Sequence, residues 1–488
     1  MVGFQTFVKP SILYVHKNLI GLLLAGSLLA IALGIVPTVL GIIIIASVIA
    51  IIVSLIEPII ALGLAIIIGP LRALVAVVWP DLSVYPGQTL FALFVFTWLV
   101  HIALNRNINI RFPAITKFMT IYLCIGLLSL WDATNIYQGL TELIKWIQLL
   151  MVAVIVFNYC VNQDKEKWVI GFVLASGFLQ ALIGLWQFAI RGDGPGSFEL
   201  ASGFFRAYGT FEQPNPFGGF MGILWPIAVG VLLALIQNRN SKQTKFFDRT
   251  LVAITLMVTL SIICALIASY SRGAWIGSIV AFVVMLFFLP HRLLIGIILV
   301  IVTITIGTTA VFLGVVPDHL ENRINSILEY TIIQDVRRVS INEANFSVIE
   351  RAAHWQAAGK MVEAHPWLGV GMGNYQVVYP KYRLVNWESP LGHAHNVYLN
   401  VAAETGVIGL SAYILFWGYV FFKTIIVLRG STNWNRGITL GLLGAWTHLG
   451  VHNFVDNLFV NNTHLCLGGL LGVLSVVNTR VSNKNLLA

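Results

Sequence analysis

Apolar runs of about 20 residues recur along this chain, and each is long enough to cross the hydrocarbon core of a bilayer. Candidate spans fall near 18–36, 38–56, 59–79, 88–104, 113–131, 142–160, 167–190, 216–237, 250–270, 273–290, 292–316, 397–424, 436–453 and 462–478. Of the 488 residues, 58% are hydrophobic and 10% charged, whereas a soluble domain carries about a quarter charged. Lipid is the solvent that fits, and backbone in lipid must satisfy its own hydrogen bonds. The expected fold is an all-α integral membrane protein, a polytopic bundle of about 12–14 transmembrane helices. The count is loosest over 38–104, where Pro70 and Arg72 interrupt the third run and make it re-entrant or merged with its neighbour.

A net charge of +9 raises the question of nucleic acid, but the basic residues do not form one soluble basic face. They cluster between spans, at Arg106/Arg111/Lys117, Lys165/Lys167, Arg239/Lys242/Lys245/Arg249, Arg292, Lys423/Arg429/Arg436 and Arg480/Lys484. Walking through the spans puts all of these on one side with Lys9 and Lys17, the side the positive-inside rule assigns to the cytoplasm. Both termini are therefore expected there, with no nucleic-acid partner. Lys9 and Lys17 precede an apolar run with no small-residue cleavage site, which reads as a retained signal anchor. The four cysteines lie in or beside apolar segments without metal-ligand spacing.

The opposite side receives 191–215, 271–272, 317–395 and 454–461. Three parts follow: an N-terminal membrane bundle over 1–316, a large extracytoplasmic loop over 317–395, and C-terminal membrane helices over 396–488. The large loop has helical patterning at 343–363, then turn chemistry at Pro366, Gly369, Gly371 and Gly373.

Three features meet on that outer side. One is Arg206-Ala-Tyr-Gly-Thr-Phe-Glu-Gln-Pro-Asn215-Pro, another Ser271-Arg272-Gly273-Ala-Trp275, and the third Gly392-His393-Ala-His395-Asn396. Guanidinium at membrane depth is costly and marks a functional or paired site, so Arg272 is the most informative; the alternative is an arginine that snorkels to headgroup phosphate. Planar guanidinium groups grip phosphate oxygens in pairs, and Arg206 with Arg272 suits a diphosphate. Lys145 is a third phosphate contact or the i,i+3 ion-pair partner of Glu142. His395 stands just before a helix, whose positive end disfavours imidazolium, and a neutral imidazole is what a general base needs. His393 is the other candidate. Two histidines are too few to hold a metal, so none is expected. His448 and His452 share a helix face near Asp456 and read as a structural polar network. There is no Asp-x-Asp and no Walker lysine motif, which argues against nucleotide-sugar and ATP-driven chemistry.

Taken in order, these pieces resemble the O-antigen ligase and polymerase superfamily over roughly 140–460. The arginine motifs are followed by Arg351-x-x-x-Trp355, Pro366-x-x-Gly369-x-Gly371-x-x-Asn374, and His393-Ala-His-Asn396 running on to Glu404-Thr-Gly406-x-x-Gly409. The resemblance implies a helical bundle of the GT-C-like, lipid-dependent glycosyltransferase type. It implies a glycan donor on undecaprenyl diphosphate, a lipid- or glycan-bearing acceptor, a membrane-lipid setting, and inverting transfer without metal or other cofactor. It places donor binding at Arg206 and Arg272 and the essential loop histidine at His395. Asn215, Arg351 and Asn396 lie in the same motifs and are expected beside the substrates. A polymerase would share this donor. The rival class is a bicarbonate or small-anion transporter, the label some relatives carry, although those lack the His-x-His-Asn element and the two halves here show no inverted repeat.

Overall fold

The computed structural model describes residues 38–81, 85–105, 109–200, 203–238, 245–314, 335–342 and 345–487. The expected span at 18–36, the anchor with Lys9 and Lys17, Lys242 and residues 317–334 lie outside the described residues. Membrane helices are α1 (Thr38–Ile56), α2 (Pro58–Ile68), α3 (Arg72–Val78), α4 (Pro86–Asn105), α5 (Ile115–Ser129), α6 (Ile136–Cys160), α7 (Glu166–Trp186), α8 (Pro214–Asn238), α9 (Lys245–Ala268), α10 (Arg272–Phe288) and α11 (Leu293–Phe312). Two loop helices follow, α12 (Phe346–Ala364) and α13 (Tyr375–Tyr382). The chain closes with α14 (Val397–Gly430), α15 (Asn433–His452) and α16 (Thr463–Leu487). No strand occurs among the described residues beyond an isolated bridge between Glu199 and Phe205. Among the described residues, ten helices are long and apolar enough to span a bilayer, with shorter apolar helices at Ile44–Ile56 and Arg272–Phe288. This is an all-α, multi-pass membrane protein.

Helix α15 packs against α8 and α10, α16 against α6, and α14 against α5. The α8–α15 approach is close because small residues line it: a side chain at Gly441 would strike the Pro226 carbonyl at 2.7 Å. Such small-residue faces let backbones meet where no hydrophobic effect drives association.

The interruption at Pro70 is a bend. Helix α2 passes through a single 3₁₀ turn, Gly69–Leu71, into α3, so that Pro58–Val78 forms one broken span. Carbonyls at the break are met from elsewhere, by Thr210 Oγ1 on Pro70 at 3.1 Å and by Asn462 Nδ2 on Gly69 at 3.3 Å.

Basic groups gather at one end of the bundle. Lys165 pairs with Glu57 at 2.7 Å, and Arg480 pairs with Asp164 at 2.6 Å and Glu166 at 2.7 Å. Arg111 meets Asn158, and Arg436 donates to the Phe288 and Leu289 carbonyls. The arginine and histidine motifs occupy the opposite end.

The large loop is clamped to the bundle by a kink in α14. Gly406 adopts φ 67°, which breaks the helical ladder and leaves the Ala403 and Glu404 carbonyls open. Val370 N–H and Gly371 N–H donate to them, both at 2.9 Å, and Val407 N–H turns instead to Pro366 at 2.8 Å. The Pro-x-x-Gly-x-Gly turn and the Glu-Thr-Gly element are thus two halves of one junction. Gly371, at φ 101°, lies flush on Ala133, where a Cβ would come within 2.6 Å. Asn374 completes the clamp, accepting from Asn135 N–H at 2.7 Å.

Candidate functional site

The arginine motifs meet at the C-terminal end of α9. That helix finishes with carbonyls lacking intrahelical partners, and Arg206 supplies donors to them. Its Nε donates to the Ser269 carbonyl at 2.9 Å and one terminal nitrogen to Tyr270 at 3.4 Å and to Asn215 Oδ1 at 3.0 Å. Immediately afterwards Ser271 caps α10, accepting from Ala274 N–H at 3.4 Å, and sets Arg272 in the first turn. Gly273 must be small, since a Cβ there would press on Val455 and His452 at 2.6 and 2.8 Å. Arg272 reaches across to the loop and donates to Ser347 Oγ at 2.9 Å. Arg351, one turn further along α12, donates to the Ser347 carbonyl at 2.8 Å and to Val455 at 3.0 Å.

The histidine motif arrives at the same place from the other end of the loop. His395 has φ 50°, an uncommon conformation for a residue with a Cβ, and its surroundings hold it there. Its N–H donates to His393 Nδ1 at 3.1 Å, and its carbonyl accepts from Trp355 Nε1 at 3.3 Å. Asn396 then caps α14, its Oδ1 accepting from Leu399 N–H at 3.0 Å. The His395 ring places Nδ1 3.4 Å from Asp456 Oδ1. Nε2 is buried, with no hydrogen-bond partner among the described residues.

The electrostatics fix the direction of that contact. Burial would raise the Asp456 carboxyl, but the hydrogen bond from His395 and the charges of His395 and Arg351 hold it well below the usual carboxylate range. An ionised carboxylate only accepts, so His395 Nδ1 is the donor, which leaves Nε2 as the nitrogen that takes up or gives a proton. Burial and the neighbouring His395 push His393 down to about 3 and His354 down to about 4, so both are neutral. His354 stacks on Tyr379 with centroids 4.7 Å apart and meets His395 edge-on at 5.8 Å. The fold also supplies a ligand that the sequence count of two histidines lacks: ligand atoms of His393, His395 and Asp456 all lie within 4.8 Å of one another, close enough to hold a metal ion.

Residues 255–414 match the family model described as O-Antigen ligase. Over those residues, about a third of the chain, the match supports the resemblance to the O-antigen ligase superfamily. No curated protein matches it. The superfamily supports a function of the O-antigen ligase or polymerase type, with lipid-linked glycan and polysaccharide as partners. The matched segment holds Arg272, Arg351, His393, His395 and Asn396, while Lys145, Arg206, Asn215 and Asp456 lie outside it.

Within the candidate site the residues singled out from the sequence fall into two groups. Arg206, Arg272, Asn215 and Arg351 gather around the Ser269–Arg272 turn, and His393, His395 and Asn396 around Asp456. Lys145 pairs with Glu142 at 2.6 Å and donates to Phe459 at 3.2 Å, the ion-pair arrangement its spacing allows. Asp456 is the residue that sequence reasoning linked elsewhere, to His448 and His452. Its signal was an acid on a short outer loop, in apolar surroundings that demand a partner. His448 and His452 form a buried seam instead, with rings 5.4 Å apart and His448 beside Ser278 at 3.2 Å.

Proposed function

We propose that the chain transfers a glycan from undecaprenyl diphosphate to an acceptor hydroxyl on the extracytoplasmic face of the plasma membrane, with both termini cytoplasmic. The reading rests above all on the His395–Asp456 pair, an imidazole oriented by a carboxylate with its Nε2 unengaged, at the bundle end that also carries Arg206 and Arg272. In the proposed reaction the acceptor hydroxyl gives its proton to His395 Nε2. The acceptor oxygen bonds to the anomeric carbon as the bond from that carbon to phosphate breaks, and undecaprenyl diphosphate leaves with the electron pair. Attack opposite the leaving group inverts the centre. Arg272 and Arg206 stabilise charge growing on the diphosphate, the preorganised kind of term that often dominates catalysis. Asp456 holds the imidazole in the tautomer that can accept and favours the imidazolium that results, the role an orienting carboxylate plays behind a histidine base. The chain's own residues account for each step without metal.

A polymerase would use the same donor and site with a different acceptor. The deletion strain separates the two: accumulation of a complete lipid-linked polymer indicates ligase, a single repeat indicates polymerase. A small-anion transporter is the contrasting reading. Transfer from purified undecaprenyl-diphosphate glycan in liposomes tests between them, since a transporter moves labelled bicarbonate and transfers nothing.

A further inference from the structure

Helix α12 presents a stripe that the proposed transfer chemistry leaves unused. Phe346, Glu350 and His354 recur every four residues and share one face, adjacent to the Ser347–Arg351 face that meets Arg272 and Val455. His354 sits edge-on to His395 at 5.8 Å, and the Glu350 carboxylate lies within reach of the charges of His395 and Arg351. A turn further back, Phe346 is 47% exposed although its ring packs 5.4 Å from Trp387. The accessible part, Phe346 to Glu350, spans ~6 Å at 1.5 Å per residue, about one sugar ring, and one turn further on buried His354 leads to the His395 imidazole.

Glu350 is the unusual member. Its side chain is half-buried, and burial raises its pKa against the opposing pull of His395 and Arg351. It forms no hydrogen bond or ion pair among the described residues. A half-buried carboxylate without a hydrogen-bond partner costs stability, and the phenylalanine beside it packs on Trp387 yet leaves about half of its surface open. Together they offer what a sugar binds: an apolar ring face and an acceptor for hydroxyl hydrogens.

We propose that Phe346 and Glu350 form the subsite for the acceptor sugar, with the ring stacking on its C–H face and the carboxylate accepting from its hydroxyl groups. The inference rests on the transferase reading of His395. The negative charge sets the preference: neutral and amino sugars are accepted, and a uronic acid is rejected by like charge. Glu350 is a specificity-determining residue and His395 the base.

The test uses the full chain in nanodiscs, without donor, on an array of neutral, amino and uronic oligosaccharides. Wild type retains neutral and amino glycans over uronic ones. Glu350→Gln weakens that binding about tenfold or more, as loss of a charge-assisted hydrogen bond requires, and abolishes discrimination against uronic glycans. Phe346→Ala, at an exposed position that leaves folding intact, weakens all glycans together, and Phe346→Tyr restores them. In the transfer assay Glu350→Gln raises the acceptor KM and leaves kcat and the donor KM near wild type. Equal affinity and equal uronic discrimination in Glu350→Gln and wild type overturn the subsite, as does a wild type that binds no glycan. Glycan binding as expected, with no transfer from an undecaprenyl-diphosphate donor, overturns the transferase reading and leaves the subsite standing.

Discussion

Nδ1 of His395 lies 3.4 Å from Oδ1 of Asp456, a residue sixty-one positions further along the chain. The contact ties the end of the large loop to the short segment between α15 and α16. In the proposed transfer it also determines which ring nitrogen faces the acceptor. Asp456→Asn keeps the volume but loses the charge that orients the ring, so we predict turnover about 10- to 10³-fold lower, the scale of loss for an orienting acid. Donor binding should be nearly unchanged. The measurement is single-turnover transfer alongside donor affinity, and a variant at the wild-type rate removes Asp456 from the mechanism.

Arg272→Lys keeps a charge and loses the planar fork, so transfer should fall strongly at unchanged expression. Arg206 lies in a loop, where a lysine has room to readjust. The geometry points the other way, because Arg206 serves the Ser269 and Tyr270 carbonyls and Asn215 together. Lysine cannot meet all three, so Arg206→Lys should also lower thermal stability, by about 1–2 kcal/mol for the lost bonds. An Arg206→Lys variant as stable as wild type contradicts that structural share, and full transfer by Arg272→Ala removes diphosphate binding from Arg272.

His354 and His393 give the loop a sensitivity to acid. Their folded pKa values, about 4 and about 3, lie below the ordinary value. Above pH about 6.5 both are neutral folded or unfolded and contribute nothing. As pH falls below that, the unfolded chain takes up protons that the folded chain refuses, so stability declines down to the folded pKa values. Protection factors in α12 and residues 391–396, corrected for the intrinsic exchange rate at each pH, should fall from pH 7.5 to 4.5, and His354→Gln should remove part of that change. Equal protection at both pH values would contradict the neutral assignment.

Chelator tests the alternative use of the same side chains. His393, His395 and Asp456 have the spacing to hold a metal ion, whereas the proposed chemistry asks them for a hydrogen bond and a proton. Transfer should therefore be unchanged after prolonged dialysis against a strong chelator. A loss restored by one divalent cation would make this triad a metal centre.

Much of this was legible in sequence where a residue's signal is local. Long apolar runs announce membrane helices, and an arginine between two of them announces a cost that needs a partner. Arg272 is such a case, whereas Asn396, expected beside the substrates, is seen to cap α14 only in the structure. Asp456 is different, because nothing local separates a partner for His395 from a partner for His452, and the choice depends on how α14 and α15 pack. The kink at Gly406 was equally hidden. A glycine in a helix-like run does not reveal a positive φ until Gly369 and Gly371 are seen to need the carbonyls it exposes.

The central claim is that His395 is the base, and His395→Ala tests it most directly. In transfer from purified undecaprenyl-diphosphate glycan to acceptor, reconstituted in liposomes, the variant should turn over about 10²- to 10⁴-fold more slowly than wild type. Donor binding should persist. His393→Ala should cost less, because His393 acts on the His395 backbone N–H at 3.1 Å and not on the acceptor. Transfer by His395→Ala at the wild-type rate would contradict the account, and a wild type that transfers nothing while moving labelled bicarbonate would replace it with the transporter.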